Sequence, residues 1–251
     1  MVSNKFYAVV AGIGPGTGRS VALKFAEHYP VVLLARKPES YQDVVAQIKK
    51  AGGKALGVST DATDESALAS AFESVKKDVE FENLQLVAAI YNVRPGSRSS
   101  RKPFLELTLE DLDTSLQGNL RGLFTFAQSV VPQLLKSVES SPYPPTFILT
   151  GATASIRGSI NWSVIAAGKS AGRIMLQSLA KEFGPKGIHV AHAIIDGGID
   201  VPDEEHSANN DATPDGKISP FGIAESYWAL HTQHKSAFTF EIDLRPFNEK
   251  F

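Results

Sequence analysis

The sequence predicts an α/β protein with a doubly wound parallel sheet of about seven strands. Short apolar runs such as FYAVVA at 6–11 and VVLLA at 31–35 alternate with segments of helical periodicity. The runs are almost uniformly apolar, which is typical of strands that are covered by helices on both faces of a parallel sheet. The chain shows no internal repeat and no interdomain linker, so we expect one domain over residues 1–251.

The expected elements follow one another in a regular order. Apolar runs predict seven strands, at 6–11, 31–35, 55–59, 84–91, 146–150, 188–195 and 237–244. Helical periodicity predicts five helices, at 20–28, 41–51, 65–77, 109–135 and 162–183. The last of these helices is expected to stop at Gly184 and Pro185, which are typical helix-ending residues.

Composition excludes several classes of function. The 251 residues include 43% hydrophobic side chains, enough for a large core, and the net charge of −2 gives no reason to expect nucleic acid or an acidic membrane as partner. The absence of cysteine excludes disulfides and thiolate chemistry. With no signal-like segment at the start and no apolar run long enough for a membrane span, we expect a cytoplasmic protein without membrane association.

A glycine-rich loop lies between the first strand and the first helix. AGIGPGTGR at 11–19 places Gly12, Gly16 and Gly18 in a G-x-x-x-G-x-G pattern, with Thr17 inside it. Glycines at this point allow a tight turn and let the backbone approach a diphosphate, whose charge the helix N-terminus stabilises. The four residues are therefore expected to bind a dinucleotide, and the fold is expected to be of the Rossmann type.

The end of the second strand favours NADP(H) over NAD(H). An NAD site usually carries an acid at this point for the ribose 2′-hydroxyl, whereas this strand ends in Ala35, Arg36 and Lys37, with no acid before Glu39. Arg36 and Lys37 suit a 2′-phosphate as charged donors, although a surface turn also often carries such residues. Asp61, after the third strand, is expected to meet the adenine amino group.

A polar segment at 200–220 is rich in turn-forming residues and follows the sixth strand. It is predicted to be either a substrate lid or an ordinary surface loop, since ligands of such sheets lie beyond the carboxyl ends of the strands.

With these residues in view, the chain resembles the short-chain dehydrogenase/reductase family over almost its full length. The resemblance is carried by the glycine loop, Asp61, GNLRG at 118–122 and the stretch from ILTGATA at 148–154 through Lys169 to GPKGIHV at 184–190. It implies an oxidoreductase acting on a small molecule and assembled as a homodimer or homotetramer. It also implies cofactor contacts from Asn92, Lys169, Gly197 and Ile199.

The family's machinery is an asparagine, a serine, and a tyrosine four residues before a lysine. Carried over to this chain, the asparagine is Asn119 and the lysine is Lys169, but the tyrosine position is Ile165 and the serine position is Ala152. None of the six tyrosines has a lysine four residues later, so no shifted alignment restores the pair. Because a positioned general acid typically contributes about 10²–10⁴-fold in rate, we expect ordinary ketone reduction by the family's usual route to be severely weakened.

Two further departures concern charge. The family's glycine after the fourth strand is Arg94, expected either to bind an anion or carbonyl or to face solvent, and the proline after the sixth strand is Asp196, for which capping of the loop is expected. His189 and His192 are expected to face opposite sides of a strand, and His231 and His234 to share a helical face. No metal site is expected from them.

Three functions remain open at this point. The first is an NADP(H)-dependent oxidoreductase with an altered proton source, suited to substrates that need no strong acid, such as an iminium or an activated enone. The second is a non-redox isomerase or cyclase on the same scaffold, and the third is a catalytically silent NADP(H)-binding sensor or partner protein.

Overall fold

The computed structural model describes residues 3–94, 101–201 and 216–248. Seven parallel strands form one sheet in the order β3-β2-β1-β4-β5-β6-β7, which confirms the predicted fold class. The order reverses direction beside β1, between β1 and β4, and ligands of such sheets bind at this switch point. The strands are β1 (Phe6–Ala11), β2 (Val31–Ala35), β3 (Ala55–Ser59), β4 (Gln85–Tyr91), β5 (Thr146–Thr150), β6 (His189–Ile195) and β7 (Glu241–Leu244).

In the described residues seven α-helices cover the two faces of the sheet, the last of them after the undescribed residues 202–215. They are α1 (Thr17–Ala26), α2 (Gln42–Lys50), α3 (Glu65–Lys77), α4 (Leu109–Leu116), α5 (Gly122–Ser137), α6 (Ser163–Phe183) and α7 (Pro220–His231). The helix α7 was not predicted from the sequence, because the apolar and small residues of PFGIAESYWALH do not follow a single stripe. The remaining boundaries differ from expectation by up to four residues, most at the start of β7. The start of α1 differs by three residues, because Gly18 of the loop already belongs to the helix.

The predicted continuous helix at 109–135 is wrong. A π-helical segment at Gln117–Arg121 separates α4 from α5. A π-turn widens the helix by one residue and changes the direction of its carbonyl groups, and such segments are frequent at functional sites. Here the Tyr91 hydroxyl donates a hydrogen bond of 2.7 Å to the Gly118 carbonyl, and Asn119 lies in the same segment. The interruption thus joins α4 and α5 to the end of β4.

The core consists of two apolar layers, one on each face of the sheet. Phe25, Tyr227 and Leu230 fill the layer under α1 and α7, where all three are buried. Phe126 and Phe147 belong to the layer under α3, α5 and α6. In the described residues no helix is long and apolar enough to cross a bilayer.

His231 is a buried structural residue at the end of α7. Its two ring nitrogens lie 3.0 Å from the Tyr29 hydroxyl and 3.0 Å from Thr146 Oγ1, and Thr146 in turn donates to the Pro144 carbonyl at 2.8 Å. The expected shared face with His234 is wrong, because α7 ends at His231 and His234 hydrogen-bonds Ser236 beyond it.

Burial lowers the pKa of His231 to about 3, so the folded protein holds the ring neutral. The unfolded chain takes up a proton below its ordinary histidine pKa of about 6.5. We therefore expect stability to be complete above pH 6.5 and to fall as the pH is lowered toward 3. Thermal unfolding at pH 7.5 and pH 5 is the measurement. A His231→Gln variant should be less stable at pH 7.5 and lose less stability on acidification, and an equal loss in both proteins would contradict this account.

Candidate functional site

The glycine loop is shaped by contacts that only glycine permits. Gly12 has a φ of +92°, and a Cβ on it would lie 2.4 Å from the Asn92 carbonyl oxygen. A Cβ on Gly18 would lie 2.4 Å from the Gly12 carbonyl oxygen. The Asn92 amide donates to that same Gly12 oxygen at 2.8 Å, so the end of β4 supports the loop. Gly16 faces the side chains of Ile199 and Val201, with Val201 Cγ2 only 3.1 Å from a Cβ built on it.

The N-terminus of α1 has the properties of an anion site. It has no side-chain cap and no acidic residue in its first turn. Thr17, the first residue of the helix, is buried, and its Oγ1 has no hydrogen-bond partner in the described chain. A diphosphate fits such a cradle, because free backbone N–H groups and a free hydroxyl can donate to it.

Two exposed cations lie at the carboxyl end of β2. Arg36 and Lys37 follow β2, are exposed, and form no ion pair with any described carboxylate. Arg19, the cation that ends the glycine loop, is bound instead by Asp43 and Gln47. Asp61 is fixed at the end of β3, where its Oδ1 accepts from the Thr63 N–H at 2.9 Å and from Thr63 Oγ1 at 2.8 Å.

Lys169 lies in α6 at the carboxyl end of β5, deep in the cleft but with partial access to solvent. Its Nζ donates to the Thr150 carbonyl at 3.3 Å. Burial, and second the positive charge of Arg94, lower the pKa of Lys169 to about 8. Ile165 lies one helical turn before it on the same face, and Ala152 follows β5 at the start of a short 3₁₀ turn, Thr153–Ser155. Neither of these two positions carries a hydroxyl.

Asn119 packs against α6, the helix of Lys169. Its side chain, however, hydrogen-bonds within its own helical segment. Its Nδ2 donates to the Ser115 carbonyl at 3.0 Å and lies 3.3 Å from Ser115 Oγ. A Cβ on Gly168, the neighbour of Lys169, would lie 2.9 Å from Asn119 Nδ2. The asparagine therefore packs beside Lys169, and the described contacts include no hydrogen bond between the two side chains.

Asp196 holds together three segments at the end of β6. It is buried and accepts hydrogen bonds from Thr153 Oγ1, from Arg157 at 3.4 Å and from Arg245 of the C-terminal segment at 3.0 Å. Gly197 follows with a φ of +149°, and a Cβ there would lie 2.8 Å from Pro246. These contacts of Asp196 were not predicted, since nothing in the sequence pairs Arg157 or Arg245 with Asp196.

The predicted lid at 200–220 lies mostly outside the described residues, which omit 202–215. Its two ends are joined, because the Asp200 N–H donates to the Ile218 carbonyl at 2.9 Å and the Ile218 N–H to the Gly198 carbonyl at 2.8 Å. Ile199 bridges Ile218 there and contacts Gly16. The segment therefore begins and ends beside the glycine loop, and its role as a lid stays a prediction.

No three His, Asp or Glu side chains converge as metal ligands would in the described part of the chain.

Arg94 is exposed and pairs with no described acid. Its charge reaches Lys169, as the lowered pKa of that lysine indicates.

Comparison with known proteins identifies relatives over most of the chain. A family model for short chain dehydrogenases matches residues 7–212. A 1,6-dihydroxycyclohexa-2,4-diene-1-carboxylate dehydrogenase of Acinetobacter baylyi is 29% identical over 220 residues, which cover 88% of this chain and 76% of the relative. A 2,5-dichloro-2,5-cyclohexadiene-1,4-diol dehydrogenase of Sphingobium indicum is 28% identical over 200 residues, 78% of this chain and 73% of the relative.

Solved structures of similar proteins superpose on almost the whole chain. A short-chain dehydrogenase from Rhodopseudomonas palustris superposes with a TM-score of 0.78 at 30% sequence identity, covering 98% of this chain and 100% of that one. A metagenomic short-chain oxidoreductase in complex with NADP shares the fold, with a TM-score of 0.77 at 21% identity and 98% coverage of both chains.

Proposed function

This chain belongs to the short-chain dehydrogenase family, a family of oxidoreductases, and from that premise we propose that it is an NADP(H)-dependent enzyme in which Lys169 takes the place of the missing tyrosine as proton donor and acceptor. The observation that carries the proposal is the position of Lys169, whose Nζ donates to the Thr150 carbonyl at 3.3 Å in a cleft where Ile165 and Ala152 carry no hydroxyl. Burial also lowers the pKa of this lysine to about 8. Asn119 and Lys169 are the remaining members of the family's catalytic set.

Lysine is an effective general acid only when its pKa is lowered. An ordinary lysine has a pKa of about 10.4 and holds its proton too tightly at neutral pH, and general acids act best when their pKa is near the working pH. A protein interior lowers the pKa of an ammonium by removing water, and a neighbouring cation lowers it further. Burial and Arg94 supply these two effects for Lys169.

The reaction then needs one proton and one hydride. When bound, a reduced nicotinamide would supply the hydride for the substrate carbon. The Lys169 ammonium gives its Nζ proton to the substrate oxygen as the double bond opens, and the neutral amine remains. In the direction of oxidation the amine takes the alcohol proton. The Thr150 carbonyl holds Nζ in place by the contact at 3.3 Å.

The proposed cofactor contacts follow the cleft from end to end. Arg36 and Lys37 are proposed to bind the 2′-phosphate and Asp61 the adenine. Glycines of the loop and Thr17 are proposed to hold the diphosphate, and the nicotinamide end is proposed to meet Asn92, Lys169, Gly197 and Ile199. Arg36 and Lys37 pair with no described carboxylate, and their charge supports NADP(H) over NAD(H), because a phosphate dianion interacts strongly with cations.

Replacing both cations, Arg36→Gln with Lys37→Gln, should weaken NADPH binding by about 10- to 100-fold, a loss equivalent to one or two charge-assisted hydrogen bonds. NADH binding should change little, since NADH has no 2′-phosphate. Calorimetric titration with both nucleotides at one ionic strength is the measurement. Lys49→Gln with Lys50→Gln, on the exposed end of α2, is the matched control for net charge. An equal loss for the two nucleotides would contradict the assignment of the phosphate site.

Small cyclic substrates are the proposed class. The relatives named above act on cyclic diene diols, and one of those substrates carries a carboxylate. An activated ring enone or an iminium places little demand on the acid, which suits a lysine donor. Arg94 pairs with no described acid and lowers the pKa of Lys169, so it favours substrates with an acidic or carbonyl group beside the reacting carbon.

We also propose assembly as a homodimer or homotetramer. Phe124 of α5 is 53% exposed and Ile174 of α6 is 55% exposed. An open depression of about 560 Å³ is lined in part by Phe124 and by Met175, the neighbour of Ile174 in the chain. Apolar side chains grouped on neighbouring helices are typical of surfaces that a partner covers.

Transfer of deuterium from NADPH that carries deuterium at both C4 positions tests the proposed function. A panel of cyclic enones, ketones, cyclic diols and imines should contain a compound that takes up one deuterium per NADPH consumed. Turnover without deuterium in the product would indicate a non-redox reaction. Tight NADPH binding without turnover of any compound would indicate a silent binding protein.

A further inference from the structure

Asp196 is a buried carboxylate directly after β6. Its Oδ1 accepts a hydrogen bond from Thr153 Oγ1, in the turn that follows β5. Its Oδ2 binds Arg245 at 3.0 Å and Arg157 at 3.4 Å. Its own N–H donates to the carbonyl of Leu244, the last residue of β7, at 2.8 Å. One residue thus joins the turn after β5, the end of β6 and the segment after β7.

The two oxygens of this carboxylate have different partners. A carboxylate at this depth needs compensation, because burial removes the water that would solvate its charge. Arg245 and Arg157 supply that compensation, and both bind through Oδ2. The charge is therefore balanced without the hydroxyl of Thr153. What this hydroxyl adds through Oδ1 is a direct link between the carboxylate and the turn after β5.

The same turn supports Lys169. Lys169 Nζ donates to the Thr150 carbonyl at 3.3 Å, where β5 passes into the turn. Ser170, the residue after the lysine, donates from its hydroxyl to the Ser155 carbonyl at 3.2 Å. Thr153 and Ser155 belong to one short 3₁₀ turn. A shift of this turn would therefore move backbone groups that hold the lysine and the helix around it.

The chain on the other side of Asp196 leads to two of the proposed nicotinamide contacts. Gly197 follows it directly, and Ile199 comes shortly after. The backbone of Asp196 is fixed at the end of β7, and its side chain is fixed to the turn after β5. Asp196 therefore connects the segment proposed to meet the hydride donor with the turn that supports the proposed proton donor.

We propose that Asp196 is a positioning residue of this active site: through the hydroxyl of Thr153 it holds the turn after β5, and with it Lys169, at a fixed place relative to Gly197 and Ile199. This inference rests on the proposed function of Lys169. In this role Asp196 exchanges no proton with the substrate, and it acts through Thr153 and through the backbone on either side.

Thr153→Val isolates the hydrogen bond that carries the proposal. Valine has nearly the shape of threonine and leaves both arginines on Asp196, so the fold should be kept. We expect hydride transfer to be about ten- to a hundredfold slower, the usual cost of small misplacements in an active site. NADPH affinity should change little, because the proposed phosphate and adenine contacts lie elsewhere.

Two further variants separate the hydroxyl from packing. Thr153→Ser keeps a hydroxyl at this position and should recover most of the rate lost in Thr153→Val. Thr232→Val is the matched control. The Thr232 hydroxyl donates to the Trp228 carbonyl at the end of α7. The preceding residue, His231, contacts Thr146 at the opposite end of β5 from Lys169. This control should keep the wild-type rate.

Asp196→Ala completes a double-mutant cycle with Thr153→Val. Arg245 keeps a partner in this variant, because it also binds Asp243 at 2.5 Å, and Arg157 is largely exposed. Since both substitutions remove the same link, the double variant should be about as slow as Asp196→Ala alone, whereas independent sites would give the product of the two effects. Thermal unfolding of each variant controls for stability.

Single-turnover oxidation of NADPH, followed with an accepted substrate, measures these rates. A wild-type rate in Thr153→Val, a Thr153→Ser enzyme as slow as Thr153→Val, or effects that multiply in the double variant would overturn the proposal. Absence of hydride transfer in the wild type would instead refute the proposed function.

Competitive acetylation of Lys169 tests the positioning in either case. The extent of acetylation over a pH series, read by mass spectrometry, gives the pKa of its amine without any turnover. We expect Thr153→Val to raise the pKa of Lys169 from about 8 toward the ordinary lysine value, because a displaced turn admits water to the ammonium. Thr153→Ser should keep it near 8. An unchanged pKa of Lys169 in Thr153→Val would overturn the proposal.

Discussion

Lys169→Met should slow NADPH-dependent reduction by about 10²–10⁴-fold at saturating cofactor, the usual contribution of a positioned general acid. Methionine keeps the length and apolar contacts of the lysine stem but has no proton to give. Single-turnover oxidation of NADPH, followed with an accepted substrate from the panel, is the measurement. Lys181→Met, an exposed lysine on the same helix, is the control and should retain the wild-type rate.

The pH dependence of the wild type provides an internal check of this result. In reduction the active form is the ammonium, so the rate should be highest below pH 8 and fall as the pH rises through the pKa of about 8. In oxidation the active form is the amine, so the dependence should be reversed. A Lys169→Met enzyme that keeps a rate within threefold of the wild type would show that the proton comes from another group.

The second large effect is expected when the hydroxyls missing at residues 165 and 152 are restored. Ile165→Tyr with Ala152→Ser should accelerate the reduction of unactivated ketones by about 10²–10⁴-fold over the wild type. Residue 165 lies one turn before Lys169 on the same helical face, so a phenol there comes close to Nζ. The charge of Lys169 would lower the phenol pKa and make it the better donor.

Ile165→Phe with Ala152→Ser is the matched control for this experiment. It has nearly the same bulk as the tyrosine variant and no phenolic proton. Equal rates in the two double variants would mean that the gain comes from reshaping the pocket. A tyrosine variant no faster than the wild type on any ketone would contradict the assignment of residue 165 to the tyrosine position.

Much of the fold was predictable because its signals are local. Apolar runs gave the bounds of β1, β2, β3 and β5 correctly, since a buried strand must be apolar over its whole length. The helix α7 was missed because it is apolar nearly all round, and periodicity shows only a helix that has one apolar stripe. The π-helical segment at Gln117–Arg121 was missed because it depends on a tertiary hydrogen bond from Tyr91.

The site was predictable only where a motif marks it. The glycine pattern marked the loop between β1 and α1, and the family resemblance marked Lys169 in α6. The roles of these residues in binding and catalysis stay predictions. By contrast, the contacts of Asp196 and of His192 join residues from distant parts of the chain. No spacing rule links Arg245 to Asp196 or Glu241 to His192. The pKa of Lys169 also depends on tertiary packing, since burial and Arg94 together lower it.

The central claim is that Lys169 carries the proton, and the most direct test compares the pH–rate profiles of the wild type and Arg94→Gln. Removing the nearby cation removes an effect that lowers the pKa of Lys169, so it should move the alkaline limit of reduction from about 8 to a higher pH while leaving the slope unchanged. The contradicting result is an alkaline limit that stays at the same pH in Arg94→Gln and also persists in Lys169→Met and in Lys169→Arg. In that case another group supplies the proton and the claim is wrong.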